Sequence, residues 1–163
     1  TQESSLFRFF RLAQPNGERA VPTSSEASVK RREGRSAELS KLGLRSGAHV
    51  FEVNRTRLID GEPMVIERIV VPAALFSGLE KRVPLPNALY QLYQRDYGYY
   101  IVTTEEQLRA DLARKEDVRR LKLALGAPLL HIERVGIALD GTRVEWRVSR
   151  CDTSKLVYAV TLS

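Results

Sequence analysis

Cysteine is almost missing from these 163 residues: Cys151 stands alone. One thiol cannot close an internal disulfide, so the chain fits a reducing compartment. Neither a Gly-rich turn nor a nearby His marks Cys151 as a nucleophile, and it reads as a structural or pocket-lining residue. No apolar run approaches the roughly 18 residues that a spanning helix needs, so no membrane partner is expected. The opening Thr1-Gln2-Glu3-Ser4-Ser5 lacks the basic-then-apolar pattern of a secretory signal. A cytoplasmic protein is expected, and the lack of an initiator Met suggests that its natural start is not included. His49 and His131 are isolated, and no His, Cys, Asp or Glu grouping has metal-ligand spacing. Gly-rich phosphate loops, Gly-x-Ser-x-Gly elbows and Cys-x-x-Cys pairs are also missing. No metal, no cofactor and no catalytic residue is expected.

What is present is an ordinary globular composition, 43% hydrophobic and 28% charged, which excludes disordered and fibrous classes. The length suits one domain spanning residues 1–163, since roughly 150 residues bury about 70% of their unfolded surface. A net charge of +6 points to an anionic partner. The basic residues are dispersed apart from Lys30-Arg31-Arg32 and Arg119-Arg120-Lys122, and neither cluster interleaves aromatics. Both read as solvated faces, so nucleic-acid binding by this piece is not expected.

The apolar and aromatic run Leu6–Leu12 reads as a strand, broken by Pro15-Asn16-Gly17. Val21–Glu33 reads as extended, and Ser36 as the cap of a short helix that Gly43 ends. Asn87 is placed to cap a helix carrying Leu89, Leu92, Tyr93 and Tyr97. A strand follows from Tyr99 towards Leu112, then a helix from Glu116 to Leu125, and Leu156–Leu162 alternates as a last strand. Two stretches echo each other: Ala48–Ile59 and Pro63–Val71 flank Asp60-Gly61, while Leu129–Leu139 and Arg143–Arg150 flank Asp140-Gly141. Asp-Gly between alternating runs signals a hairpin. The fold class is α+β, an antiparallel sheet with short helices.

In the first hairpin Arg55 and Arg57, two apart, point to one strand face. A three-residue loop, Ile59-Asp60-Gly61, pairs odd with odd positions and brings Glu67 to the same face. Adjacent like charges call for an anion or carboxylate between them, and the guanidinium fork matches both. Spacing alone favours a solvated ion-pair ladder, because such ladders outnumber pockets. With the same kind of loop in the second hairpin, Glu133, Val135, Glu145, Arg147 and Ser149 share a face. Glu145 sits between Val144 and Trp146, and pairing with Arg147 is its plainer explanation.

The stretch Glu52–Glu67, with its Arg55-Thr56-Arg57, Asp60-Gly61-Glu62-Pro63 and Glu67, resembles the signature of the UTRA domain. This is the effector-binding module of HutC-type GntR-family transcription regulators. The resemblance continues through Val71–Leu79, Ala88–Leu92, Leu121–Gly126, Pro128–Arg134 and Asp140–Glu145. It implies a chorismate-lyase-like fold with the ligand held between sheet and helices. It implies that Arg55 and Arg57 bind the anionic part of an effector, with Glu67, Glu145 and Tyr90 on its polar groups; Ser149 completes the candidate set. Ala88 stands where sugar-phosphate sensors of the family carry Ser, so an organic acid is the favoured effector. The implied whole is a homodimeric repressor touching operator DNA only through a winged helix-turn-helix missing from this chain. Alternatives are a lyase-like enzyme on a chorismate-type acid and a plain dimerisation or interaction module.

Overall fold

The computed structural model describes residues 10–25 and 27–163. Strands β1 (Leu12–Ala13), β2 (Thr23–Ser24) and β3 (Ser28–Glu33) precede helix α1 (Ser36–Leu42). The long hairpin β4 (His49–Ile59) and β5 (Glu62–Pro72) leads through two 3-10 turns to α2 (Leu89–Tyr97). Then come β6 (Ile101–Leu112), α3 (Lys115–Leu121), the hairpin β7 (Pro128–Ala138) and β8 (Arg143–Cys151), and β9 (Val157–Tyr158). The main sheet runs β2-β4-β5-β8-β7-β6, with β3 also pairing on β4; β1 and β9 make a separate two-stranded ribbon. Among the described residues every strand pairing is antiparallel. The α+β expectation holds.

The first hairpin reaches the expected face by a different route. Its turn is Asp60-Gly61 alone, with Ile59 opposite Glu62, and both turn residues have positive φ (52° and 78°). Paired left-handed residues twist with the strands, and an Asp-Gly pair tolerates that conformation. A two-residue turn on its own would pair odd with even. The register then shifts between Arg57 and Leu58: Leu58 faces Pro63 and Arg57 faces Val65, so Met64 is the extra residue of a bulge. Beyond it Arg55 sits opposite Glu67. The odd-with-odd face is right; the three-residue loop is not.

The second hairpin overturns its expected face. A register shift between Gly136 and Ile137 leaves Gly136 opposite Glu145, Arg134 opposite Arg147 and Ile132 opposite Ser149. Glu133 and Val135 therefore lie on the other face, opposite Val148 and Trp146. Arg134 takes the position that the simple hairpin assigned to its neighbours.

The helix ends also differ. Ser36 is the first residue of α1, not its cap; Glu38 instead accepts the Arg35 backbone N–H at 2.7 Å. Asp117 does the same for Arg114 in α3 at 2.8 Å. That helix stops at Leu121, one residue before Lys122 turns left-handed, and Leu125 is 70% exposed. Among the described residues, Val157–Tyr158 of the last strand pairs on β1; the early strand is described from residue 10 onwards, and Leu6–Phe9 lie outside the described residues.

Two layers form around the sheet. On the outer face α1 packs Leu42 against Val50, Val70, Val135 and Trp146. Glu38 also binds Arg32 and Arg68 there, and Asp117 of α3 binds Arg150. Arg32 and Arg120, expected on solvated faces, are thus partly engaged: Arg120 donates to Thr56 Oγ1 at 2.9 Å. On the inner face one apolar cluster joins Phe51, Val53, Ile69 and Val71 to Phe76, Leu89, Leu92 and Tyr93 of the α2 side. A second joins Ile59, Met64, Val65, Ile132 and Cys151 to Leu12 and Leu156 beside the β1–β9 ribbon. A polar belt crosses the sheet between them.

Candidate functional site

The belt follows from strand parity. Along β4 the inward series reads Phe51, Val53, Arg55, Arg57, Ile59, so two arginines interrupt an apolar stripe; β5 contributes Glu67 between Val65 and Ile69. On β8 the inward residues are Glu145, Arg147, Ser149 and Cys151, and on β7 Ile132, Arg134 and Gly136. Glu106 of β6 lies opposite Arg134. Gly136 makes room for α2: a Cβ there would stand 3.3 Å from the Tyr90 hydroxyl.

Glu67 is the hub. Arg55 Nε donates to it at 2.9 Å, Arg57 Nη1 at 3.4 Å, and Arg147 Nη1 lies 3.6 Å away. Arg55 Nη1 also reaches the backbone carbonyls of Pro86 and Asn87, each at 3.3 Å. Arg57 Nη2 donates to the Asn87 side chain, whose Nδ2 donates to the Pro22 carbonyl at 2.8 Å. Asn87 is thereby recruited to the belt, and Ala88 takes the helix-cap position instead. Arg147 pairs bidentately with Glu145, and its guanidinium lies 5.3 Å from the Tyr90 ring centroid. The hydroxyls of Tyr90 and Tyr93 are pushed above their ordinary values by burial and by the charge of Glu145. Arg134 Nη2 lies 3.4 Å from Glu106, which also accepts the Tyr158 hydroxyl at 2.6 Å.

The set is buried: Arg55 is 2% exposed, Arg57 0%, Glu67 2% and Glu145 0%. A solvated ladder, the reading favoured by spacing alone, is therefore ruled out. Within the belt four guanidiniums (Arg55, Arg57, Arg134, Arg147) meet three carboxylates (Glu67, Glu106, Glu145). Arg57 Nε has no hydrogen-bond partner among the described residues. Burial, together with the charges of Arg55 and Arg147, pushes it down to about 10 against the pull of Glu67. It keeps its proton at neutral pH.

Burial by itself would raise the Glu67 carboxyl. The charges of Arg55, Arg57 and Arg147 outweigh it and hold the group well below the usual carboxylate range. On the outer face Glu38 is likewise brought down to about 2, its burial outweighed by the hydrogen bonds from Arg32 and Arg35. The unfolded chain takes up protons at such groups near pH ~4.3, the folded chain only near pH 2 or below. Their stabilisation is therefore complete above pH ~5 and drains away as pH falls. We expect the urea midpoint to hold between pH 7 and 5 and to drop steeply from pH 4 to 3. A flat midpoint down to pH 3 would contradict this.

A narrow cavity of about 30 Å³ opens on the ribbon side of Glu67. Its polar walls are Glu67, Arg134, Arg147 and Ser149; Val65, Ile132 and Cys151 form the apolar part, and Phe10, Arg11, Leu12 and Tyr158 close it. The buried Cys151 thiol is pushed well above its ordinary value by that burial and by Glu67, which suits a wall and not a nucleophile.

The family model of the UTRA domain matches residues 18–156. The chain belongs to the UTRA domain family. The domain is that of GntR-family transcription regulators. It is 27% identical to the ligand-binding domain of a GntR-family regulator from Bordetella bronchiseptica, covering 96% of this chain and 98% of that one with a TM-score of 0.89. PhnF from Mycobacterium smegmatis shares the fold at a TM-score of 0.81 and 19% identity, over 87% of this chain and 63% of that one. Among curated relatives, the HTH-type transcriptional regulator GmuR of Bacillus subtilis is 30% identical over 108 residues, 66% of this chain and 45% of that protein. A protein of Escherichia coli K12 named as a fructoselysine utilization operon repressor is 22% identical over 120 residues, 74% of this chain and 49% of that protein. The UTRA chain thus spans about half the length of the curated relatives it matches.

In this UTRA domain the six candidate residues fall into two groups. Glu67 and Ser149 line the cavity, whereas Arg55, Arg57, Tyr90 and Glu145 form the belt beside it without being among its walls. Sequence reasoning missed Arg134, Glu106, Asn87 and Tyr158. Arg134 needed the second bulge. Glu106 sits in the strand Ile101–Leu112, where no apolar alternation singles out a face.

Proposed function

We propose that this domain senses a small anionic metabolite on behalf of a homodimeric transcription repressor. Residues 1–163 act as one effector-binding unit, and a winged helix-turn-helix outside this chain contacts the operator. The binding set is Arg55, Arg57, Glu67, Tyr90, Glu145 and Ser149. The observation that carries this reading is the surplus of buried guanidinium charge, with Arg57 Nε unpartnered among the described residues. An uncompensated buried cation is costly, and an anionic ligand relieves the cost. Glu67, held ionised by Arg55, Arg57 and Arg147, serves as a fixed acceptor and not as a proton donor. An organic acid suits a cavity whose remaining wall is apolar. Binding shifts the balance between two arrangements of the DNA-binding heads only through different affinity for each.

A thermal-shift screen of organic acids, phosphosugars and neutral sugars tests this, because a ligand at 100 times its Kd adds about 2.7 kcal/mol to native stability. A saturable rise in Tm with an organic acid, reduced in Ser149→Ala, which removes a neutral donor from the cavity wall, is expected. A response confined to neutral compounds would overturn the anionic reading, and a phosphosugar response with none to organic acids would overturn the preferred class.

A further inference from the structure

The two edges of the main sheet differ in character. At one end the chain is divided between β2 and β3, of two and six residues, and β3 carries Lys30, Arg31 and Arg32. Short edge strands and charged side chains, Lys above all, protect an edge from strand addition. At the other end β6 runs for 12 residues, and among the described residues no strand pairs with its outer side. It holds no Lys and no Pro, and its one register shift lies at its start, between Ile101 and Thr103. Gln107, Leu108, Arg109 and Ala110 are all exposed, so the middle of the strand is open along its edge. A row of unpaired N–H and C=O groups of this length is a template for another strand.

We infer that β6 pairs antiparallel with β6 of a second copy of this chain, in register about Gln107, so that the two sheets join into one. β6 is then the interface of the homodimer proposed above, and the inference rests on that reading. A two-fold axis between paired strands keeps like faces together, so one residue of β6 meets its own copy at the axis. Charge selects which residue. An axis at Glu105, Glu106 or Arg109 sets a charge against itself, and one at Leu108 sets Glu105 against Asp111. An axis at Ala110 leaves only residues 108–112 of the strand in opposition. With the axis at Gln107, residues 103–111 of both copies face each other, and Glu105 falls opposite the partner's Arg109 on each side of it. Both side chains lie on the outer face, opposite Val135 and His131 of β7, and are 60% and 68% exposed. Arg109 is only loosely held where it is, 4.0 Å from Glu133. On the inner face Leu108 meets the partner's Glu106, whose carboxylate already accepts the Tyr158 hydroxyl. The ladder adds about eight to ten main-chain hydrogen bonds, and the two ion pairs fix its register.

The test is sedimentation equilibrium of the whole chain and of three variants: Glu105→Arg, Arg109→Glu and the two exchanges combined. Wild type should be a dimer. Each single exchange turns two attractions into two repulsions and should raise the dimer Kd about tenfold or more, with an unchanged urea midpoint for the monomer because both sites are exposed. The combined exchange restores opposite charges across the axis and should return to within about threefold of wild type. Gln107→Cys sets a thiol beside its own copy, and a short bismaleimide should join the two; the native Cys151 is buried and adds little background. A dimer whose Kd ignores both single exchanges, or that the combined exchange fails to recover, would overturn the β6 interface and leave the homodimer standing. No cross-link at Gln107 in a charge-sensitive dimer would overturn the register. A chain that stays monomeric at high micromolar concentration would overturn both this interface and a homodimer built by this domain, while effector binding is read separately by thermal shift.

Discussion

Replacing Glu67 with alanine is expected to cost about 3–5 kcal/mol, the usual penalty for stripping one partner from a buried ion pair. The value belongs at the upper end because Glu67 serves three arginines from three positions: Arg55, Arg57 and Arg147. None of them can turn to water, since their side chains are 1%, 0% and 11% exposed. Glu67→Gln keeps the volume and one acceptor oxygen and should recover only part of the loss. The measurement is the urea midpoint, read with the slope to confirm that the unfolded state is unchanged. Sulfate should restore stability to Glu67→Ala more than to wild type, because an anion can enter where the carboxylate was. A loss under 1 kcal/mol for the alanine variant would mean that the three cations are hydrated in solution, and the buried belt would have to be abandoned.

The second large effect is expected far from any charge. Phe76 is fully buried and touches three tyrosines, with ring centroids 4.8 Å from Tyr93, 5.0 Å from Tyr97 and 5.8 Å from Tyr99. Tyr93 and Tyr97 belong to α2 and Tyr99 follows it, so one ring seats the helix on the sheet. Phe76→Ala should cost about 3–5 kcal/mol, the range for an aromatic removed from a core. Part of that is the transfer of the ring and part the hole it leaves among tilted neighbours. Phe76→Leu should lose much less, as a smaller apolar side chain still fills most of the site. Because α2 carries Tyr90 and follows Asn87, the alanine variant should also bind its effector more weakly. Equal urea midpoints for Phe76→Ala and wild type would show that α2 is not seated by this ring.

How far these features could be read from the sequence varies with their locality. Both Asp-Gly turns, the antiparallel class and the shared face of Arg55, Arg57 and Glu67 were accessible, because turn chemistry and alternation are encoded within a few residues. The route to that face was not. An extra residue such as Met64 leaves no composition signal, since it is apolar and buried like its neighbours. The same blindness at Gly136–Ile137 put Glu133 on the wrong face and hid Arg134. Asn87 looked like a helix cap because Asn commonly is one; its contact with Arg57 joins residues 30 apart in the chain. Glu106 becomes meaningful only once Tyr158, 52 residues away, is placed against it.

The Met64 bulge sets an arithmetic rule for this hairpin. An Asp60-Gly61 turn supplies one parity and the supernumerary residue supplies the other, and only their combination points Arg55, Arg57 and Glu67 the same way. Facing is consequently set by turn and bulge together: flattening the bulge at unchanged chain length would bring Ile66 opposite Arg55 in place of Glu67. The charge complement of the belt is thus protected by counting as much as by chemistry. Drift in the identity of Met64 is tolerable, and its deletion would remove the bulge while leaving Arg55 opposite Glu67.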